Sequence, residues 1–133
     1  MPFLLYDYVN AQDVNEFKKW TASLQKKEIA RLNEKLDMLE LTGLALLPLT
    51  LAATNVPGIL KIKVHGQVQL RPLLCKGPIH DEEAFTLLAG AKERGFKLLP
   101  KGIEAEAKSR KAAVKNDPAK RRTAHVEITD KAD

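Results

Sequence analysis

The chain has 133 residues, 44% hydrophobic and 29% charged, the size and composition of one ordinary globular domain with a single core. Lys and Arg number 22 against 17 Asp and Glu, a net charge of +5, and the single cysteine, Cys75, excludes an internal disulfide and any multi-cysteine metal site. No apolar run approaches the roughly 20 residues of a membrane span, and the opening Met1-Pro2-Phe3-Leu4-Leu5-Tyr6 lacks the basic start and cleavage site of a secretory leader. The expected compartment is the cytoplasm.

Residues 3–9 are aliphatic, aromatic and β-branched and predict a first strand. Asn10, with Asp13 three residues on, predicts a helix start, and Val14, Phe17, Trp20, Thr21 and Leu24 follow at helical spacing. A stronger amphipathic helix is expected from Gln25 to Thr42, where Ile29, Leu32, Leu36 and Leu39 recur every three or four residues and Gly43 marks the stop. The two helices make an antiparallel hairpin. Residues 44–58, broken by Pro48 and Pro57, read as an apolar loop packed on the core, long enough to hide a helical turn.

From Ile59 the period changes to two. Leu60, Ile62 and Val64 alternate with Lys61 and Lys63, then Val68 and Leu70 with Gln67, Gln69 and Arg71, the pattern of a β-hairpin with one buried face. A three-residue loop, His65-Gly66-Gln67, pairs Val64 with Val68 and Ile62 with Leu70. It also sets Lys61 opposite Arg71, an unfavourable pair of like charges unless it holds an anion or splays into water. Residues 84–89 predict a buried strand, 90–100 a loop, and 102–115 a helix rich in Ala, Glu, Lys and Arg, ended by Asn116-Asp117-Pro118. Residues 116–133 read as a basic, mobile tail in which 124–128 can form a short closing strand. The fold class expected is α+β: an antiparallel sheet against an N-terminal helical hairpin, with a C-terminal helix, in one domain spanning 1–115.

Positive charge is concentrated. Residues 92–122 hold eleven Lys or Arg and four acids, while the rest of the chain is slightly acidic. A basic third on a near-neutral body points to a polyanion, with a solvated helix or an acidic protein partner as the plainer alternatives. His65, His80 and His125 are scattered and read as surface turn residues, Cys75 as a small hydrophobe, and Asp81-Glu82-Glu83 as a solvated loop. No Gly-rich phosphate loop, zinc spacing or nucleophile elbow is present, so no metal and no cofactor are called for. Grouped cations can grip phosphate and stabilise the charge that develops when a ribose 2′-hydroxyl attacks a phosphodiester, a reaction that needs no metal.

Lys61-Ile62-Lys63-Val64, Leu70-Arg71, Leu87-Leu88-Ala89-Gly90-Ala91-Lys92-Glu93-Arg94, Lys97 with Pro100, and Ile103 to Arg110 together resemble the motifs of the RelE/ParE superfamily of toxin–antitoxin toxins, in its HigB-like, phage-derived branch. The resemblance spans residues 3–115. It implies a RelE-like fold and the toxin of a type II pair. That toxin is a metal-independent endoribonuclease acting on mRNA in the ribosome, neutralised by an antitoxin with a helix-turn-helix. It also implies that Lys63, Arg71, Arg94 and Lys97 bind and polarise the scissile phosphate, with Lys61, Lys92, Lys101, Lys108 and Arg110 along the nucleic acid. The chain departs from the family pattern where Lys63 replaces an arginine, Glu93 replaces the first lysine of the loop pair, and Pro72 follows Arg71. Lysine lacks the bidentate fork of arginine. The alternative is therefore a non-catalytic nucleic-acid- or protein-binding phage protein on the same fold. A gyrase-directed toxin is a third reading, and the oligomeric state is left open.

Overall fold

Leu-Leu-Tyr-Asp-Tyr makes the first strand, β1 (Leu4–Tyr8), in a computed structural model that describes residues 2–80 and 82–129. The helix after it starts later than expected. The Asn10 side chain accepts from the backbone N–H groups of Gln12 and Val14, closing a turn in which Asp13 takes a positive φ of 61°. Asn15 caps α1 (Glu16–Thr21) instead, its Oδ1 accepting from Lys18 N at 2.9 Å. Helix α2 (Lys26–Thr42) matches its apolar stripe: Ile29, Leu32, Leu36 and Leu39 are buried. The Glu28 carboxylate accepts from Gln25 N at 2.8 Å and closes its first turn. Gly43 ends it with φ at +63°.

The apolar connector is not all loop. A 3₁₀ turn (Gly43–Leu46) leads into an edge strand, β2 (Leu51–Ala53), paired antiparallel with β3 (Leu60–Ile62). Strand β3 then pairs with β5 (Leu73–Lys76), with Lys61 opposite Leu73 and Leu60 opposite Leu74, and Val64 bridges Leu70. The register therefore lies two residues from the expected one. A shift of two keeps every side chain on its face, so Ile62, Val64 and Leu70 are buried as predicted. It changes who meets whom, and Lys61 does not stand opposite Arg71. The loop is longer because Gln69 closes it with its own side chain, donating to Gly66 O at 2.7 Å and touching His65 Nδ1 at 3.1 Å. Val68 is left exposed on that loop. Pro72, which has no N–H, still offers its carbonyl to Ile62 N at 3.0 Å.

Strand β6 (Ala84–Ala89) is buried at every residue and occupies the middle of a six-stranded sheet of order β2-β3-β5-β6-β1-β9, where β9 is Arg122–Ala124. The sheet is mixed rather than antiparallel, because β1 runs parallel to β6. Both faces are covered. Phe17, Leu24 and the α2 stripe pack on Leu5, Ile62, Leu74, Phe85 and Leu87. On the other face, Ile103, Ala107 and Val114 of α3 (Ile103–Asn116) pack on Tyr8, Leu73, Cys75 and Leu88. Sequence neighbours such as Leu87 and Leu88 serve opposite cores, as strand alternation requires.

Two segments expected to be irregular are ordered. Within residues 90–100, β7 (Lys92–Arg94) and β8 (Lys97–Leu99) form a hairpin, and β4 (Gln69–Leu70) pairs with β7 to make a second, three-stranded sheet. Residues 116–129 do not trail away either. A short helix, α4 (Pro118–Arg121), feeds β9, which covers the outer edge of β1. The Arg122 guanidinium meets both Glu82 carboxylate oxygens, at 2.6 and 2.7 Å, and lies over the Tyr6 ring. Residues 130–133, the remainder of the expected tail, lie outside the described residues. The architecture is α+β, a mixed sheet between two helical layers.

Candidate nucleic-acid interface

The cations singled out from the sequence fall into two groups, divided by the pleat of β7. Leu70 stands opposite Lys92 and Gln69 opposite Glu93. Cross-strand partners share a face and neighbours alternate. Arg71 thus belongs with Glu93 on the side of the α3 core, whereas Lys92 and Arg94 point to the other side. Lys97 joins the latter, since it pairs with Arg94 across the hairpin. Lys61 and Lys63 alternate with buried Ile62 and lie on the Arg71 side. The four residues expected to converge on one phosphate are therefore split, Lys63 and Arg71 from Arg94 and Lys97.

On the first side Glu93 is the hub. Lys61 Nζ meets its Oε1 at 3.0 Å, and Arg71 Nε lies 3.4 Å from the same oxygen. Arg71 is buried; one guanidinium nitrogen donates to Leu70 O at 2.9 Å, and Nε makes no hydrogen bond. Partial burial pushes the Glu93 carboxyl up. The Lys61 hydrogen bond and the positive charges of Arg71 and Lys61 outweigh that and hold it below the usual glutamate range. A charge reversal in sequence terms is, in the fold, the counter-ion that lets Arg71 be buried. Lys63 is half-buried and makes no ion pair among the described residues.

On the second side Lys92, Arg94 and Lys97 are exposed, as is Lys101 further along the chain, and none of the four forms an ion pair among the described residues. Arg94 and Lys97 face each other beside the turn, an arrangement of like charges that costs stability in a strand pair. The turn itself is Gly95-Phe96, with φ of 57° and 65°, as a type I′ hairpin turn needs at both positions. Phe96 is 99% exposed. Lys108 is likewise exposed on α3. Arg110 is committed to the fold: it donates to Leu88 O at 2.9 Å, pairs with Glu16 at 3.1 Å and Glu106 at 3.3 Å, and stacks on Tyr8.

His125 is not a surface turn residue. Its Nδ1 lies 2.8 Å from Asp7 Oδ1, and Asn15 Nδ2 donates to Asp7 Oδ2 at 2.8 Å, at the side of a cleft of about 410 Å³ between α1 and residues 123–129. This cluster stands apart from the Arg71 face, because Arg71 leads into β5, three strands from β9 in the sheet, roughly 14 Å at the usual spacing. It fastens the C-terminal segment to β1, together with the paired hydrogen bonds between Asn33 and Ile128.

Sequence reasoning missed Phe96, the structural duty of Glu93 and the Asp7–His125 contact. For Phe96 a signal existed: a glycine followed by an aromatic, flanked by Arg94 and Lys97, in a segment with too few residues for a free loop. A glutamate's choice of partner and a contact across 118 residues leave no local pattern.

Among the described residues, no cluster of His, Cys, Asp or Glu has the composition to hold a metal ion, and no helix is long and apolar enough to cross a membrane. No protein-family model matches the chain, and no curated protein matches it either.

Proposed function

We propose that the chain is an RNA-directed protein of the RelE/ParE toxin type, the toxin-like half of a type II pair. It grips the sugar–phosphate backbone of mRNA at the ribosome through the β7–β8 hairpin and the turn into α3. The class rests on the sequence resemblance. The surface rests on one observation: four exposed cations, Lys92, Arg94, Lys97 and Lys101, stand on one stretch of chain without an ion pair among the described residues, while nearby Lys61 and Arg71 share the Glu93 carboxylate. Unpaired cations in that density lower the free energy of a bound polyanion by releasing its counter-ions. The compartment is then the cytoplasm and the partner an antitoxin carrying a helix-turn-helix.

A second reading, cleavage of that RNA, has its own support. Lys61, Lys63 and Arg71 share a face, so a phosphate that displaced Glu93 would meet three cations there. The ribose 2′-oxygen would attack phosphorus, the bond to the 5′-oxygen would break, and the cations would stabilise the added negative charge of the transition state. Because Arg71 is held by Glu93 in the free protein, binding without cleavage is the form the geometry favours.

Expression in a bacterial host, with mapping of mRNA 5′ ends, tests both. The expected result is growth inhibition that survives Arg71→Gln and is lost when Lys92, Arg94, Lys97 and Lys101 are all changed to Gln. New mRNA ends that vanish in Arg71→Gln would establish cleavage and overturn binding alone. Full inhibition by the fourfold variant would overturn the hairpin as the working surface.

A further inference from the structure

The tip of the β7–β8 hairpin combines features that do not serve folding. A left-handed backbone conformation at a bulky residue such as Phe96 is unfavourable, and glycine or asparagine is the usual occupant of such a turn. The ring contributes no burial, since the residue is 99% exposed. Beside it Arg94 and Lys97 oppose each other with like charge. Lys92 and Leu99, also a cross-strand pair on that face, continue the surface, and Leu99 is 42% exposed. An aromatic ring in solvent, bracketed by unpaired cations, is the chemistry that binds single-stranded nucleic acid: the ring takes the face of an unpaired base, and the cations take the phosphates on either side.

We propose that Phe96 is a base-stacking residue that takes the face of an unpaired base of the bound RNA. The inference rests on the RNA-binding reading above and adds the residue that holds a base. In a duplex the bases are already stacked on one another and offer no free face to the ring. Charge alone would bind either form, so the aromatic tip carries the discrimination.

Fluorescence anisotropy with a labelled uridine oligomer, an abasic ribose-phosphate strand of equal length and a short RNA duplex tests this in the full chain. Phe96→Ala is expected to weaken the uridine oligomer about fivefold or more, Phe96→Trp to retain binding, and the abasic strand to bind wild type and Phe96→Ala alike. Phe96→Asn suits the left-handed position, so its loss of affinity, with an unchanged or higher melting temperature, would exclude a folding defect as the cause. Equal binding of the uridine oligomer by wild type and Phe96→Ala, or an equal loss on the abasic strand, would overturn the stacking role and leave the RNA-binding reading standing. Failure of the wild type to bind any of the three at low salt would overturn that reading itself.

Discussion

Removal of the Glu93 carboxylate leaves Lys61 and Arg71 side by side with no counter-charge. Arg71 is buried and its Nε already lacks a hydrogen bond, so Glu93→Gln is expected to destabilise the fold by about 1–3 kcal/mol, measured by urea denaturation. An unchanged midpoint would show that the ion pairs are incidental. The pH dependence has a definite sign. The Glu93 carboxyl is held below its usual range in the fold, so its contribution is complete above the ordinary glutamate value of about 4.3 and fades as the pH falls through the lower folded value. Glu93→Gln should therefore flatten the acid limb of the stability curve. Cys75 gives a second test. Burial pushes its thiol up to about 12, leaving almost no thiolate at pH 8. Iodoacetamide should spare it in the native protein and modify it fully in urea; rapid native modification would contradict its burial on β5 beneath α3.

At the scale of elements, the parts with long periodic patterns were legible and the parts governed by single contacts were not. The stripe of Ile29, Leu32, Leu36 and Leu39 fixed α2 nearly to the residue, and the run from Ala84 to Ala89 fixed the central strand. Asn10 and Asn15 are both good caps, and only the Asx turn at Asn10 and the positive φ of Asp13 decide between them. The hairpin face was readable from alternation, but its register depended on the Gln69 side chain closing the loop, which alternation does not record. The parallel pairing of β1 with β6 joins segments some 80 residues apart and has no local signature. Of the site, the identity of the cations was legible and their grouping was not, because one residue of pleat separates Glu93 from Arg94. Packing between elements also yields a prediction. A Cβ on Gly90 would lie 1.8 Å from the Trp20 ring, so Gly90→Ala should force the indole aside and cost about 1–3 kcal/mol, read as a lower melting temperature. An unaltered melting temperature would mean that α1 does not seat Trp20 over the end of β6.

Taken whole, the molecule keeps two electrostatic regimes on one scaffold. Arg110, Arg122 and Arg71 pair with Glu16, Glu82 and Glu93 and tie segments of the fold together, while the cations of the β7–β8 hairpin form no ion pair among the described residues. Net charge alone does not distinguish the two, and the second is the one proposed to recruit a polyanion. The salt dependence of binding to a single-stranded RNA separates them directly. For single strands each phosphate contact contributes about 0.7 to the slope of log affinity against log salt. Changing Lys92, Arg94, Lys97 and Lys101 together to Gln is expected to reduce that slope by nearly 3 and to weaken binding steeply at low salt, with the melting temperature preserved. An identical slope and affinity in the fourfold variant would contradict the hairpin as the RNA-binding surface.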